Sequence, residues 1–300
     1  SKAEIAKNPK LKTGSCSEAL EKEWTRLREK GVWDEKIVKN WADLAREARI
    51  DNRTIHMGRI FGIMVEKNHE LSKDDEHRKF KYRVVFQGNN VCDQEYESAI
   101  FQDLGSSPAS MEASKNIDCY GCFPGHSIEQ ADAEQAYVQA DLVGTETWVV
   151  VPEEAWPASW YNYPSGVAPG TPEAMAPRTP KYTRPVCRLK KALYGHPDAG
   201  TMWETHCHRR LLCQGFTPIT SWPSCYFHSR LSLMLTVYVD DFKLAGPAGN
   251  LKEGWSLITK FLDVEKPGGL GLYLGCKHER ETITVDGSPV TIMKYNMEDY

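Results

Sequence analysis

The sequence predicts a fold of mixed helix and strand with room for one large core or two modest ones. Three observations carry this. Apolar residues recur at three- and four-residue intervals in two early segments and one late one, and in other short runs they alternate with polar residues. The chain has 300 residues, 41% of them hydrophobic and 26% charged, which suffices to bury such a core.

The elements follow in order. Residues 1–15 are a polar, Lys-rich tail that opens on Ser1 without an initiator Met or a signal-peptide pattern, so the chain reads as a soluble piece of something longer. Glu18 to Lys30 is predicted helical from Leu20, Trp24 and Leu27, and Asp34 to Arg49 from Ile37, Trp41, Leu44 and Ala48. Arg59 to Val65 and Phe80 to Phe86 are predicted to pair as a hairpin around the polar Glu66 to His77 connection. Residues 161–185 are rich in Pro, Gly, Ala and Thr and read as a long loop. Asp198 to Gln214 is a third helix, with Ala199, Trp203, Cys207 and Leu211 at four-residue spacing and Gly215 in the capping position. No repeat is visible, and no run of 18 apolar residues suggests a membrane span.

The most informative segment is Leu233 to Gly246. Leu233, Leu235, Val237 and Val239 alternate with Met234, Thr236 and Tyr238 as a strand; Phe242 to Ala245 provides a return strand that Gly246-Pro247 stops. At the turn sit Asp240 and Asp241. Adjacent carboxylates repel, and a cation between them and the rest of a site removes the conflict, as in a magnesium-dependent phosphoryl-transfer centre. A surface turn with a chance Asp-Asp is the bland alternative. A third carboxylate, Asp132, lies upstream in Gln130 to Tyr137, before the hydrophobic stretch Thr147 to Pro152. Alone it reads equally as a helix N-cap. Together, one carboxylate from an early strand and a pair from a hairpin suit a two-metal site, where charge and positioning do most of the work.

The full set of motifs resembles a known family. Asp132 with Tyr137 five positions on, Cys187 to Gly195 ending in Leu193-Tyr194-Gly195, a Trp203-bearing segment ending in Gly215-Phe216, then Tyr238-Val239-Asp240-Asp241 and Tyr273-Leu274-Gly275 resemble the reverse transcriptase of copia-type LTR retrotransposon Pol polyproteins in order and spacing. Upstream, Glu18 to Trp33 is similar to that family's opening helix and Lys81 to Gly88 to its finger strand. The resemblance covers roughly residues 16 to 278.

It implies an α+β right-hand polymerase of fingers and palm, with an antiparallel palm sheet backed by helices and a mostly absent thumb. Residues 16–131 would be N-terminal helices and fingers, 132–278 the palm with an insertion near 161–185, and 279–300 the start of a truncated thumb or connection. Asp132 and Asp240 would be the principal metal ligands and Asp241 the third catalytic carboxylate, with the Ala133 carbonyl as a further oxygen. Tyr137 would be a steric gate against the ribose 2′-hydroxyl, and Lys81, Arg83 and Gly195 would complete the nucleotide site. The cofactor would be Mg2+, with Mn2+ as an alternative. The partners would be an RNA template, a DNA primer, dNTPs and the remaining Pol segments, with RNase H, integrase and protease outside this chain. The setting would be intracellular: the cytoplasm, within a virus-like particle, or the nucleus, with no membrane.

Charge and cysteine usage bound this reading. Net charge is −4, but Lys73, Arg78, Lys79, Lys81 and Arg83 cluster, as do Lys181, Arg184, Arg188, Lys190 and Lys191, while acids gather over 93–103 and 146–154. Two basic stripes beside an acidic centre would neutralise phosphates and leave a metal its carboxylates. The nine cysteines lack framework spacing and are expected as reduced thiols. Cys119, Cys122 and His126, even with His206-Cys207-His208 elsewhere, lack a complete zinc set, so zinc is not expected and Cys119 and Cys122 read as half-buried side chains.

Departures from the family pattern keep a second class open. After Gly195 a Leu-Lys-Gln-Ala-Pro run is replaced by His196-Pro197-Asp198-Ala199-Gly200, putting an acid where a cation is expected. Ile60 to Val65 lacks the family's lysines, leaving Lys81 and Arg83 for the triphosphate. The preferred expectation is an RNA- and DNA-dependent DNA polymerase; the alternative is a decayed or repurposed copy that binds nucleic acid without catalysis. An RNA-dependent RNA polymerase is disfavoured by Tyr137.

Overall fold

The computed structural model describes residues 14–69, 72, 75, 77–101, 105–162 and 179–297. The expectations for most of the polar tail, for Lys73 and Asp103, and for 163–178 of the long loop lie outside these residues. Helices and sheets are mixed, and the described chain divides into two compact units: residues up to 103 with 141–199, and 104–140 with 200–300.

In chain order, the elements before residue 125 are α1 (Gly14–Glu29), β1 (Trp33–Asn40), α2 (Trp41–Ile50), β2 (Ile55–Lys67), β3 (Lys79–Phe86), β4 (Cys92–Asp93) and α3 (Met111–Gly121). Next come β5 (His126–Asp132), the one-turn α4 (Ala136–Gln139), β6 (Glu146–Val150), β7 (Tyr161–Asn162), β8 (Thr179–Pro180) and β9 (Pro185–Leu189). Then follow α5 (Ala199–Cys213), β10 (Thr217–Pro218), β11 (Cys225–His228), β12 (Leu233–Tyr238), β13 (Asp241–Pro247) and α6 (Ala248–Ile258). The chain continues through β14 (Gly268–Gly269), β15 (Leu272–Tyr273), β16 (Cys276–Val285) and β17 (Ser288–Asn296).

The first unit is a sheet in the order β1-β9-β6-β2-β3, with β4 also paired to β2. Only β2 and β6 run parallel; the other pairs are antiparallel. Trp41, Leu44, Ala45 and Ala48 of α2 pack on Ile55, Met57, Trp148 and Val186. The hairpin expected around residues 66–77 is present as β2 and β3. One helix is corrected. Of the predicted Asp34 to Arg49 helix, only residues from Trp41 onward are helical, and Trp33–Asn40 is a strand against β9 with a bulge between Asp34 and Lys39. Ile37, assigned to the buried helix face, is 52% exposed. The periodicity of Trp41, Leu44 and Ala48 is genuine, but β-branched Ile37 and Val38 suit a strand, and the open edge of β9 supplies the partner that sequence spacing does not reveal.

The long loop is paired at its base, where Tyr161 and Asn162 meet Pro180 and Thr179.

The second unit is built on an antiparallel sheet in the order β10-β11-β12-β13-β5-β14. One face carries Leu233, Leu235, Val237, Phe242, Leu244, Ala131 and Ala133, covered by Trp203, Cys207 and Leu211 of α5 and Leu251, Trp255 and Ile258 of α6. The other face receives α3, whose Ile117 packs with Ile128 and Ala245. Strand alternation therefore gives each residue of β13 a fixed side: Phe242 and Leu244 face α5 and α6, whereas Asp241, Lys243 and Ala245 face the side of α3. A separate three-stranded sheet, β15-β16-β17, ends the described chain.

Candidate carboxylate site

The Asp-Asp segment is a two-residue hairpin turn. Tyr238 pairs with Asp241, leaving Val239 and Asp240 as the central residues. This corrects the expected register: β12 ends at Tyr238 rather than Val239, and the return strand begins at Asp241. Val239 has φ +56°, a left-handed conformation that a β-branched residue rarely adopts and that hairpins ordinarily give to glycine or asparagine. Trp203 holds the turn from below, its indole Nε1–H donating to the Val239 carbonyl at 2.6 Å. Strain of this kind persists where the surroundings enforce it, commonly at functional sites.

Antiparallel pairing brings the third carboxylate alongside. Asp132, the last residue of β5, lies opposite Asp241 in register. The Asp240 carbonyl accepts from Ala133 N at 2.6 Å, and the Asp132 carbonyl accepts from Glu265 N at 2.8 Å, so the turn, the end of β5 and the segment after α6 are tied by backbone bonds. Burial, followed by the charges of Asp240 and Asp132 and a hydrogen bond with Asp132, pushes the Asp241 carboxyl up to about 7. Asp241 therefore holds a proton more tightly than an ordinary carboxyl, with Asp132 opposite it and Asp240 at the turn.

Tyr137 sits on α4 and is half-buried against the α5 and α6 core. Burial and the Asp240 charge raise its phenol above the ordinary range, and it lines the same cavity as Val239 of the turn. Asp132, Ala133, Tyr137, Asp240 and Asp241 thus come together in the second unit. Lys81, Arg83 and Gly195 belong to the first unit. There Lys81 and Arg83 are exposed on one face of β3, and the Arg83 guanidinium lies over the Tyr194 ring at 5.4 Å. Gly195 has φ +86°, and a Cβ there would stand 2.1 Å from the Phe86 carbonyl oxygen. Its role in the described fold is close backbone packing.

The altered segment after Gly195 is part of a core. His196 is buried against Phe86 and Phe101, with ring centroids at 5.0 and 5.4 Å, and burial together with nearby His56 lowers it to about 4. Its Nδ1 accepts from Asp198 N at 3.2 Å. Burial raises the Asp198 carboxyl above its ordinary value, and the charge of nearby His56 acts the other way. Cys119 is exposed rather than half-buried; Cys122 is half-buried as expected, and both are free thiols at the end of α3. His126 Nδ1 instead donates to the Tyr120 carbonyl at 2.9 Å.

Sequence reasoning missed one cluster. Lys243 is fully buried on the same face as Asp241, donating to Asp118 Oδ1 at 2.9 Å and to Ser114 Oγ at 2.8 Å. A lone Lys inside the apolar run Phe242 to Ala245 is the sequence signal for it, because a buried ammonium needs a carboxylate partner.

Among the described residues, no three His, Cys, Asp or Glu side chains converge as a metal-ligand group. The donor set nonetheless fits a hard divalent cation. It consists of carboxylate oxygens, and none of the three acids makes a salt bridge among the described residues. No helix of the described residues is long and apolar enough to cross a membrane.

No family model matches the sequence, and no curated protein matches it. Among solved structures, telomerase from Candida albicans in complex with a TWJ fragment of telomeric RNA aligns with a TM-score of 0.39 and 11% identity, covering 88% of this chain and 50% of that one. The chain thus spans half the length of the structure it matches.

Proposed function

We propose that this chain is the polymerase part of a copia-type reverse transcriptase, adding deoxynucleotides to a DNA primer on an RNA or DNA template. The observation that carries this reading is the juxtaposition of Asp132 and Asp241 across two antiparallel strands, with Asp240 on the strained turn and Tyr137 beside it. Asp132 and Asp240, with Asp241, would hold Mg2+ or Mn2+, which when bound supplies charge stabilisation for phosphoryl transfer. Because the Asp241 carboxyl is raised, a cation held there would compete with its proton. Tyr137 supports deoxynucleotide selection, its ring filling the space a 2′-hydroxyl would need. Lys81 and Arg83 supply exposed cations for phosphates. The template, primer, dNTPs and further Pol segments are the partners this reading entails.

One observation favours a second reading, a repurposed protein that binds nucleic acid without catalysis: among the described residues the acids do not converge as a metal-ligand group. Primer extension on homopolymer RNA with Mg2+ or Mn2+ separates the two. Extension is expected from the native chain and should vanish in Asp132→Asn and Asp240→Asn, with melting temperature held or raised because each change relieves like-charge repulsion. Retained extension in either variant would sink the assignment.

A further inference from the structure

Directly beneath the Asp132 and Asp241 pair, the next residues on the same face of the same strands are Gln130 and Lys243, which are themselves cross-strand partners. Both reach toward the end of the chain. Gln130 Nε2 donates to the Leu272 carbonyl at 3.0 Å, and its Oε1 accepts from Gly271 N at 3.3 Å. The Lys243 ammonium lies 4.0 Å from the Tyr273 ring centroid. Asp118 is the hub of this tier. One of its oxygens takes Lys243; the other accepts from the Tyr295 hydroxyl at 3.0 Å and faces His278 Nε2 at 3.5 Å. His278 and Tyr295 are in turn registered partners on β16 and β17, and His278 Nδ1 donates to the Cys276 carbonyl at 2.9 Å. Asp118 is buried to 0% exposure and Lys243 likewise. Burial by itself would raise the Asp118 carboxyl, but hydrogen bonds and charge from His278 and Lys243 bring it below the ordinary range.

Two apolar side chains could join α3 to β13 at lower desolvation cost than this ion pair. What the carboxylate adds is a second oxygen with its own direction, which binds a third element. We propose that Asp118 is a positioning residue: it takes Lys243 of the carboxylate strand on one oxygen and Tyr295 of the β16–β17 hairpin on the other, and so fixes the hairpin to the strand pair that bears the carboxylates. Carboxylate strand and hairpin then move as one body. The consequence for nucleic acid rests on the polymerase reading above: a primer–template that touches the hairpin is placed relative to Asp132 and Asp241 through Asp118.

Amide hydrogen exchange of the full chain, run beside primer extension, tests this. Tyr295→Phe removes one bond to Asp118 and keeps the ring, so it is expected to fold; Asp118→Asn is the stronger variant. Exchange over 276–296 should rise about tenfold in Tyr295→Phe, the equivalent of one hydrogen bond to a charged acceptor, while exchange in β11 and β12 stays unchanged. In extension assays KM for primer–template should rise, with kcat at saturation preserved. Unchanged exchange over 276–296 in folded Tyr295→Phe would overturn the proposal, as would an equal rise throughout the second unit. Because exchange needs no substrate, a chain that never extends a primer would refute the polymerase reading while leaving the tie itself decided.

Discussion

Asp241, pushed up to about 7 by burial and by the charges of Asp240 and Asp132, keeps its proton in the folded chain where the unfolded chain has already lost it. Stability from this proton is complete below the ordinary carboxylate range and is lost as pH rises through about 7. Chelator-treated protein should therefore melt at a lower temperature at pH 8 than at pH 5, and Asp241→Asn should flatten that difference. Mg2+ should raise the melting point more at pH 8, where it competes with no proton. Superimposable pH profiles for the native chain and Asp241→Asn would mean that the raised Asp241 carboxyl has been misassigned. Tyr137 makes a separate expectation. Tyr137→Ala should raise ribonucleotide incorporation relative to deoxynucleotide, because steric exclusion rather than a hydrogen bond would do the selecting. An unchanged ratio in an active variant would leave Tyr137 as an ordinary core aromatic.

At the scale of elements, the β12–β13 hairpin is held in an unfavourable conformation by a helix. Val239 in the left-handed region costs on the order of 1–3 kcal/mol, and the Trp203 indole of α5 supplies the bond that retains it. Trp203→Phe keeps an aromatic ring in the core but leaves the Val239 carbonyl without that donor. A loss of about 1–3 kcal/mol in urea unfolding is expected. Extension should slow by about tenfold or more, the rate equivalent of about 1.4 kcal/mol. If stability falls and the rate does not, the turn's geometry is independent of its support. The corrected β1 strand belongs at this scale too. The residues from Asp34 to Asn40 satisfy either pattern locally, and only the free edge of β9 selects the strand.

For the whole molecule, a net charge of −4 sits awkwardly with a polyanionic partner unless cations are segregated. Both basic clusters are partly engaged: in the first, Arg78 pairs with Glu66 at 2.6 Å. Lys190 pairs with Asp34 at 2.7 Å and Lys191 with Asp141 at 2.7 Å, so part of the second cluster is engaged within its own unit. Lys79, Lys81 and Arg83 are exposed at alternate positions of β3 and share one face. Binding of a primer–template should fall steeply with salt, and three phosphate contacts would give a log–log slope of about −3. Lys81→Ala should reduce that slope by about 1, read by fluorescence anisotropy across a salt series. Salt-independent binding would exclude phosphate contacts as its source.

What could be read from the sequence alone were features with a local cause. Alternating apolar residues specify the β12–β13 hairpin, four-residue spacing specifies α5, and two adjacent acids at a turn announce a charge problem whatever surrounds them. The adjacent acids located Asp240 and Asp241 as candidates, with Asp132 as a candidate third carboxylate, whereas Tyr137 came from the family resemblance. Tertiary structure decided which groups meet. Antiparallel register sets Asp132 opposite Asp241, and it places Lys243 two residues along the same face, where α3 brings Asp118 to it. Strand identity at 33–40 and the burial of His196 were likewise settled by partners distant in sequence. The physical reason is common to all four. Periodicity reports which side of an element is apolar, whereas pairing register, desolvation and charge compensation depend on what lies opposite, and that is fixed only when the chain has folded.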